Sequence, residues 1–148
     1  MYDKILLPTD GSEGMGPVID HAISLADVHD ATLHVVYVVN TASLNDLPME
    51  SSWEGLSQAL RKEGEEALEE VTEQAGTLSV DTTMLEGAPS RVIVEYAEDE
   101  SCDIIVMGTH GRSGVNRLLL GSVAERVVRT STVPVMTIRV DKPLSREA

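Results

Sequence analysis

The chain has 148 residues, of which 25 are acidic and 11 are basic, so its formal net charge is −14 with histidine neutral. A chain of this length is expected to form one domain that needs no disulfide or structural metal, and its single cysteine, Cys102, excludes an intramolecular disulfide. The acidic balance argues against nucleic acid and anionic membranes as partners, because both attract proteins through clustered lysine and arginine.

Short apolar runs rich in β-branched residues predict the strands. Four of these runs are almost continuously apolar, which is typical of strands covered on both faces, as in a parallel sheet. A weaker run supplies a fifth strand. In chain order the predicted strands are Ile5 to Leu7, Leu33 to Val39, the weaker Ser79 to Leu85, Ile104 to Met107, and Val133 to Val140.

Segments with apolar side chains at helical spacing lie between these strands. The strands and helices alternate, which predicts an α/β fold: a single doubly wound five-stranded parallel sheet with helices on both faces, formed by one domain over residues 1–148. The positions that define the helices are Val18, Ala22, Leu25 and Ala26 in the first, Leu56, Leu60, Ala67, Leu68 and Val71 in the second (roughly Ser51 to Ala75), Val92, Ile93, Tyr96 and Ala97 in the third, which follows Pro89, and Val123, Ala124, Val127 and Val128 in the fourth.

The stretch from Asn40 to Ser52 contains Pro48 and several small polar residues, so we expect a long surface loop before the second helix. Its role is not indicated by the sequence. We interpret Trp53, just after it, as a packing residue rather than a cap over a ligand site.

The loop after the first strand reads Pro8-Thr9-Asp10-Gly11-Ser12. In open α/β sheets, ligands bind beyond the carboxyl ends of the strands, at the point where the strand order reverses. A carboxylate that follows a hydrophobic strand there is placed to accept hydrogen bonds from a sugar hydroxyl or to hold Mg²⁺. The alternative is that Asp10 and Ser12 only shape a turn and cap the first helix.

The loop after the fourth strand is rich in glycine, which lets a backbone approach a ligand closely and turn its amides inward. The last helix then opens with free N–H groups and a positive dipole end, which favour an anion, and Ser122 and Glu125 have the spacing of a capping box. This pattern predicts phosphate binding; the alternative makes Ser122 only a cap and the glycines only a flexible turn. The glycines are Gly108, Gly111, Gly114 and Gly121.

Charge patterning agrees with this prediction. The segment from Arg112 to Arg129 carries four arginines and one acid, against the trend of the whole chain. Arg112 and Arg117 lie in the loop and are candidates for ligand contact, whereas Arg126 and Arg129 are expected on a solvated helix face.

Two standard nucleotide motifs are absent. No G-x-x-x-x-G-K-[ST] occurs, and Gly11, Gly14 and Gly16 are not spaced as G-x-G-x-x-G, so a Walker-type ATPase and a classical NAD enzyme are disfavoured. If both special loops serve one ligand, strands one and four must be neighbours. That condition requires the strand order 3-2-1-4-5.

The run from Gly108 to Ser122 fits the pattern G-x2-G-x9-G-[ST]. It resembles the ATP-binding signature of the universal stress protein family, and the resemblance covers essentially the whole chain. The other segments that carry it are Ile5 to Ser12, Leu33 to Val36, Glu86 to Pro89, Asp103 to Gly111, and Ser131 to Val135.

This resemblance implies an ATP-binding stress-response regulator in which the nucleotide changes the conformation or oligomeric state of a homodimer paired through the last strand. Pro134 is tolerated near the beginning of such an edge strand. The residues that the resemblance assigns to the nucleotide are Pro8, Thr9, Asp10 and Val35 at the adenine and ribose end, Met107 and Gly108 at the ribose and first phosphate, and Gly111, Gly121, Ser122 and Val123 at the phosphates, with Arg112 and Asn116 as further candidates.

Two other functions stay open. One is a slow ATP hydrolase or nucleotidyl transferase that uses Mg²⁺ on Asp10; the other is a flavodoxin-like electron carrier, for which few aromatic residues are present to stack on a flavin. We favour a binding protein without catalytic residues, because no lysine lies near the expected phosphates and no acid stands in the glycine loop to position water. His110, the titratable base there, is interpreted as a hydrogen-bonded spacer.

The first 30 residues lack a basic segment followed by an apolar one, and no apolar run approaches the ~18 residues of a membrane span, so we expect a soluble cytoplasmic protein. The acid excess is accompanied by three lysines and no phenylalanine. Halophilic origin is one hypothesis for this composition, and an ordinary acidic cytoplasmic protein is the other. A free energy of unfolding that peaks at low KCl would contradict the first.

Overall fold

The computed structural model describes residues 1–40, 51–109 and 121–139, with side chains described from residue 57 onward in the helix that begins at 51. Strands and helices alternate along these ranges. The strands are β1 (Lys4–Thr9), β2 (Thr32–Val39), β3 (Val80–Glu86), β4 (Ile104–Gly108) and β5 (Val135–Ile138). The helices are α1 (Met15–His29), α2 (Ser51–Ala75), α3 (Pro89–Asp99) and α4 (Ser122–Thr130).

The five strands form one parallel sheet in the order β3-β2-β1-β4-β5, which confirms the predicted fold class and strand order. The chain winds outward from β1 to β3 and then returns to the other side of β1, where it adds β4 and β5. The order therefore reverses between β1 and β4. This reversal places the carboxyl ends of β1 and β4 next to each other, which is where ligands bind in sheets of this type.

Each face of the sheet carries its own hydrophobic core. Helices α1 and α2 pack on the face that contains Ile5, Leu7 and Val35. Helices α3 and α4 pack on the opposite face, against Leu6 and Ile105. Successive side chains of a strand point to opposite faces, so both faces must be apolar when both are covered. This is the reason that the strand sequences are almost continuously apolar.

One predicted helix position is wrong among the described side chains. Val128 is 44% exposed, whereas α4 buries Ala124 and Val127. The buried stripe of this short helix faces α3 and the sheet, and Val128 lies about 100° around the helix from Val127. It therefore points toward solvent.

The last strand is shorter than the predicted range from Val133 to Val140. Its ladder begins where the C=O of Pro134 accepts the N–H of Ile105 at 2.9 Å. Before Pro134 the chain still turns: the N–H of Val133 donates to the hydroxyl of Ser131, also at 2.9 Å. Position 140 lies outside the described residues.

The predicted loop from Asn40 to Ser52 falls mainly outside the described ranges, as does the side chain of Trp53. Within those ranges, no helix combines the length and the apolarity that crossing a bilayer requires.

The amino edge of the sheet is held together by the carboxylate of Asp103, just before β4. Its Oδ2 accepts the N–H of Asp3 at 2.7 Å and the N–H of Lys4 at 3.0 Å. It thereby joins the start of β4 to the start of β1. These donors, Lys4 foremost, hold the pKa of this carboxyl below its usual range, because they stabilise the charged form.

We expect Asp103→Asn to lower the free energy of unfolding at neutral pH by about 1 kcal/mol, because a neutral amide accepts these two N–H groups less strongly than a carboxylate. The folded pKa is lowered, so the stabilisation is present above the unfolded aspartate pKa of about 3.9 and is lost as the pH falls through the folded value. Urea unfolding from neutral to acid pH should show the variant and wild-type curves converging. A constant difference in acid would contradict this role; Glu69→Gln, on the exposed side of α2, is the control.

Candidate functional site

The pairing of β1 with β4 stops short of the carboxyl edge, at the reversal of strand order where sheets of this type have a crevice. β1 pairs with β4 only at Ile5↔Ile104 and Leu6↔Ile105. Its pairing with β2, in contrast, continues to Thr9. β4 likewise remains paired with β5 to its end. The last residues of β1 and β4 thus part from each other while each stays paired to its outer neighbour. Pro8, which has no N–H to donate, stands where the pairing with β4 has ended.

The loop after β1 is a compact turn held by its own side chains. Thr9 is buried, and its Oγ1 accepts the N–H of Gly11 at 3.2 Å. Asp10 Oδ1 accepts the N–H of Ser12 at 2.9 Å. Gly11 has φ +76°, a left-handed conformation that glycine adopts without strain. The turn presents Asp10 at the crevice end of β1.

The predicted turn role of Asp10 is therefore confirmed, but the capping role is wrong. Helix α1 begins at Met15, and its N-cap is Gly14, which makes no side-chain hydrogen bond. The backbone C=O of Ser12, not its hydroxyl, accepts the N–H of Met15 at 3.1 Å. Neither Asp10 nor Ser12 caps this helix with its side chain.

One backbone hydrogen bond brings the last helix to the crevice. The C=O of Thr109 accepts the N–H of Gly121, so the chain returns to the end of β4 before α4 begins. The N–H of Thr109 in turn donates to the C=O of Ile138 in β5 at 2.9 Å. The amino end of α4 is thereby anchored beside the carboxyl ends of β4 and β5. The predicted loop residues that lie outside the described ranges include His110, Gly111, Arg112, Gly114 and Asn116.

The start of α4 differs from the predicted capping box. Its N-cap is Gly121, in an extended conformation, and Ser122 is the first helical residue. Ser122 is therefore one position too late to cap, and its side chain is exposed. Glu125 does not complete a capping box; it forms an ion pair with Arg129 at 3.1 Å. Because Gly121 has no side chain to accept them, the first N–H groups of α4 are suited to an external anion.

The structure brings only part of the predicted site to the carboxyl edge. The predicted residues that lie at this edge are Pro8, Thr9, Asp10, Gly108, Gly121 and Ser122. Val123 follows in the first turn of α4 and is half-buried. Val35 is fully buried level with Leu7, in the core beneath α1 and α2, and Met107 is buried in the opposite core.

The arginines of α4 are placed as predicted. Arg126 is exposed, and Arg129 is paired with Glu125, so both occupy a solvated helix face. Arg117, like Arg112, lies outside the described ranges. In the part of the chain that the structure describes, no three His, Cys, Asp or Glu side chains cluster closely enough to hold a metal ion.

Sequence reasoning missed the residues that support the β1 turn from behind. Tyr37 of β2 and Ala67 of α2 both lie next to Gly11. Gly64, one turn before Ala67 in α2, is the feature of the sequence that could have indicated these contacts. A glycine inside a long helix costs stability relative to alanine and indicates a close approach of another element.

Residues 1–139 match the sequence profile of the Universal stress protein family. The chain is 44% identical to universal stress protein MJ0531 of Methanocaldococcus jannaschii over 144 residues, which cover 96% of this chain and 85% of that protein. Among solved structures it is similar to MJ0577 of the same organism, with a TM-score of 0.84 and 30% identity, over 97% of this chain and 99% of that one.

Two more distant structures hold nucleotides. A universal stress protein in complex with cAMP has a TM-score of 0.68 at 24% identity, over 95% of this chain and 98% of that chain. One from Archaeoglobus fulgidus in complex with dAMP has a TM-score of 0.66 at 21% identity, over 93% and 98%. At these identities, the similarity to the two structures shows a shared fold only. The profile match and the identity to MJ0531, in contrast, extend along almost the whole sequence, and by them the chain belongs to the universal stress protein family.

Proposed function

We propose that the chain binds an adenine nucleotide in the crevice between β1 and β4, and that ATP is the nucleotide. The observation that carries the proposal is the hydrogen bond from Gly121 to Thr109, which anchors the amino end of α4 at the mouth of the crevice. A phosphate there would meet the first N–H groups of the helix and its positive dipole end. The cAMP and dAMP complexes of proteins with this fold support an adenine nucleotide as the ligand class.

The two sides of the crevice would hold different parts of the nucleotide. On the α4 side, the N–H groups of the first turn and the exposed Ser122 hydroxyl would hold phosphates. On the β1 side, the Pro8–Asp10 edge would take the ribose and base, with Gly108 at the ribose and first phosphate. Val35 and Met107 would support the base and ribose from the two cores. Gly111 and Arg112, from the intervening loop, complete the proposed phosphate site.

The local charge arrangement favours an anion in spite of the net charge of −14. Glu125 is the acidic residue in the first turn of α4, where a free carboxylate would repel phosphate. Its ion pair with Arg129 directs the carboxylate along the helix, toward the following turn. The pair offsets its charge, although an exposed pair of this kind contributes little to stability.

Calorimetric titration of the purified protein with ATP, AMP and GTP tests the proposal. We expect saturable binding of ATP and AMP and weaker binding of GTP, and we expect mass spectrometry to find an adenine nucleotide that copurifies with the protein. The absence of binding by all three nucleotides would overturn the proposal. Release of ADP at a steady rate in the same samples would instead support the alternative function, a slow Mg²⁺-dependent ATP hydrolase.

Asp10 is the residue that we propose for Mg²⁺. Mg²⁺ is commonly held by one or two carboxylates together with substrate phosphates, so a single side chain at the crevice suffices. Asp10→Asn keeps an oxygen that can accept the Ser12 N–H, and so retains the turn. We expect Mg²⁺ to tighten ATP binding to the wild type about tenfold and to have little effect on the variant. If the variant lost the same amount of affinity for ATP with and without Mg²⁺, Asp10 would bind a sugar hydroxyl instead.

We also propose a homodimer that forms through β5. Among the described strands, none pairs with the outer edge of β5, and its four residues are all half-buried. An open edge of this kind invites pairing with a second copy, and a twofold axis lets both edges be satisfied together. Light scattering with and without ATP tests both the dimer and the regulatory role. If the role is regulatory, we expect ATP to shift the dissociation constant of the dimer.

A further inference from the structure

Tyr37 lies directly behind the turn that follows β1. It stands near the carboxyl end of β2, level with Thr9 on one side and with Met84 of β3 on the other. Its side chain is 4% exposed and belongs to the core beneath α1 and α2. It shares that face with Val35, two residues earlier, and is nearer than Val35 to the edge where the crevice opens.

Helix α2 approaches this ring closely because residue 64 is a glycine. A Cβ atom at Gly64 would lie 2.6 Å from Cδ1 and 2.9 Å from Cε1 of Tyr37, and 2.9 Å from Cε of Met84. The methionine terminus could move aside, but the buried tyrosine ring could not without displacing its neighbours. Only glycine allows the observed distance between α2 and β2.

The same ring and the same helix also lie close to the turn. A Cβ atom at Gly11 would lie 3.3 Å from Cβ of Ala67, one turn after Gly64, and 4.0 Å from Cε2 of Tyr37. The Tyr37 hydroxyl donates to Oε1 of Glu63 at 3.4 Å. One edge of the ring therefore faces the turn, the other edge faces α2, and the hydroxyl joins the ring to that helix.

We propose that Tyr37 is a positioning residue for the base end of the nucleotide site. Held by α2 at Gly64, its ring sets the height of the Asp10–Ser12 turn relative to the crevice. The docking of α2 and the occupancy of the adenosine end are consequently coupled. This inference rests on the proposed function, since it assigns the turn to the adenosine part of the ligand.

The binding test compares variants that act on the ring with one that does not. We expect Tyr37→Leu and Gly64→Ala to weaken ATP and adenosine by the same factor, about tenfold, and to leave tripolyphosphate unaffected, because only the turn is displaced. Tyr37→Phe keeps the ring and should stay within about twofold of the wild type. Gly16→Ala is the matched control, since a Cβ there meets nothing within 4 Å.

A second measurement needs no nucleotide. The N–H groups of Gly11 and Ser12 are bonded within the turn, so their hydrogen exchange reports its order. Exchange should be faster in Tyr37→Leu and Gly64→Ala but not in Tyr37→Phe. Ile93→Ala, in the opposite core, controls for global destabilisation.

The two measurements separate the possible failures. Unchanged exchange together with unchanged affinity would reduce Tyr37 to a core residue and overturn the inference. A wild type that binds no nucleotide would overturn the proposed function, and the exchange rates alone would then decide whether Tyr37 positions the turn. Equal losses for tripolyphosphate and adenosine would also contradict a role confined to the base end.

Discussion

Gly121→Val is expected to weaken ATP binding at least about a hundredfold, or ~2.8 kcal/mol, while the fold is retained. Gly121 has φ −65° and ψ 162°, an extended conformation that valine adopts readily. Its N–H can still donate to Thr109. A β-branched side chain at the N-cap would occupy the space over the first N–H groups of α4, where we place the phosphates. Isothermal calorimetry gives the affinity, and urea unfolding shows whether the variant remains folded.

The loss of binding must be separated from the loss of a helix cap. Valine is a poorer N-cap than glycine, which alone costs about 1 kcal/mol of stability. Ala88→Val is a matched control, since Ala88 is the extended N-cap residue of α3 and follows β3, two strands away from the crevice. It should bind ATP like the wild type. If Gly121→Val also bound ATP with wild-type affinity, the phosphates would not lie at α4.

Thr137→Pro is expected to convert the proposed dimer into a monomer at concentrations where the wild type is paired. The C=O groups of Pro134 and Ile138 accept N–H groups of Ile105 and Thr109, so these alternate residues of β5 face inward. The N–H and C=O groups of the intervening Thr137 therefore point outward, away from β4. Proline there removes an outward N–H and leaves the inward bonds in place, a substitution that edge strands tolerate.

The expected size of the change in the dissociation constant follows from the symmetry of the dimer. The hydrogen bond from the Thr137 N–H to the partner strand is lost twice across a twofold axis, at about 1 kcal/mol each time. The proline ring also obstructs the partner strand. The dissociation constant of the dimer should therefore rise about a hundredfold. Sedimentation velocity measures it directly. Thr137→Val keeps the N–H and should remain dimeric. A dimer of unchanged affinity in Thr137→Pro would exclude β5 as the interface.

The strand order could be predicted because two kinds of signal agreed. Continuous apolar runs such as Leu33 to Val39 require cover on both faces, which indicates a parallel sheet with helices on each side. If the two unusual loops serve one ligand they must meet, and only the order with β1 beside β4 brings them together. The observed sheet has that order. The separation of β1 from β4 beyond Leu6, which opens the crevice, has no counterpart in the residue pattern.

Predictions that needed exact boundaries were less accurate. The spacing of Ser122 and Glu125 is compatible with a capping box, but a shift of one residue in the start of α4 makes Gly121 the N-cap and leaves Ser122 inside the helix. Val128 fits the apolar stripe by spacing and yet lies outside it. Both depend on how α4 is seated against β4, β5 and α3, which local sequence does not specify.

The sequence by itself determined the α/β class, the parallel sheet and the family, and it marked the loops after β1 and β4 as unusual, because periodicity and glycine spacing are local properties of the chain. Only the tertiary structure decided that the amino end of α4 is anchored at Thr109 and that Tyr37, Gly64 and Ala67 lie against the turn at Gly11. These contacts join residues far apart in the sequence, and their existence depends on the distance between packed elements. A helix glycine such as Gly64 indicates that something comes close, but the fold alone identifies what it is.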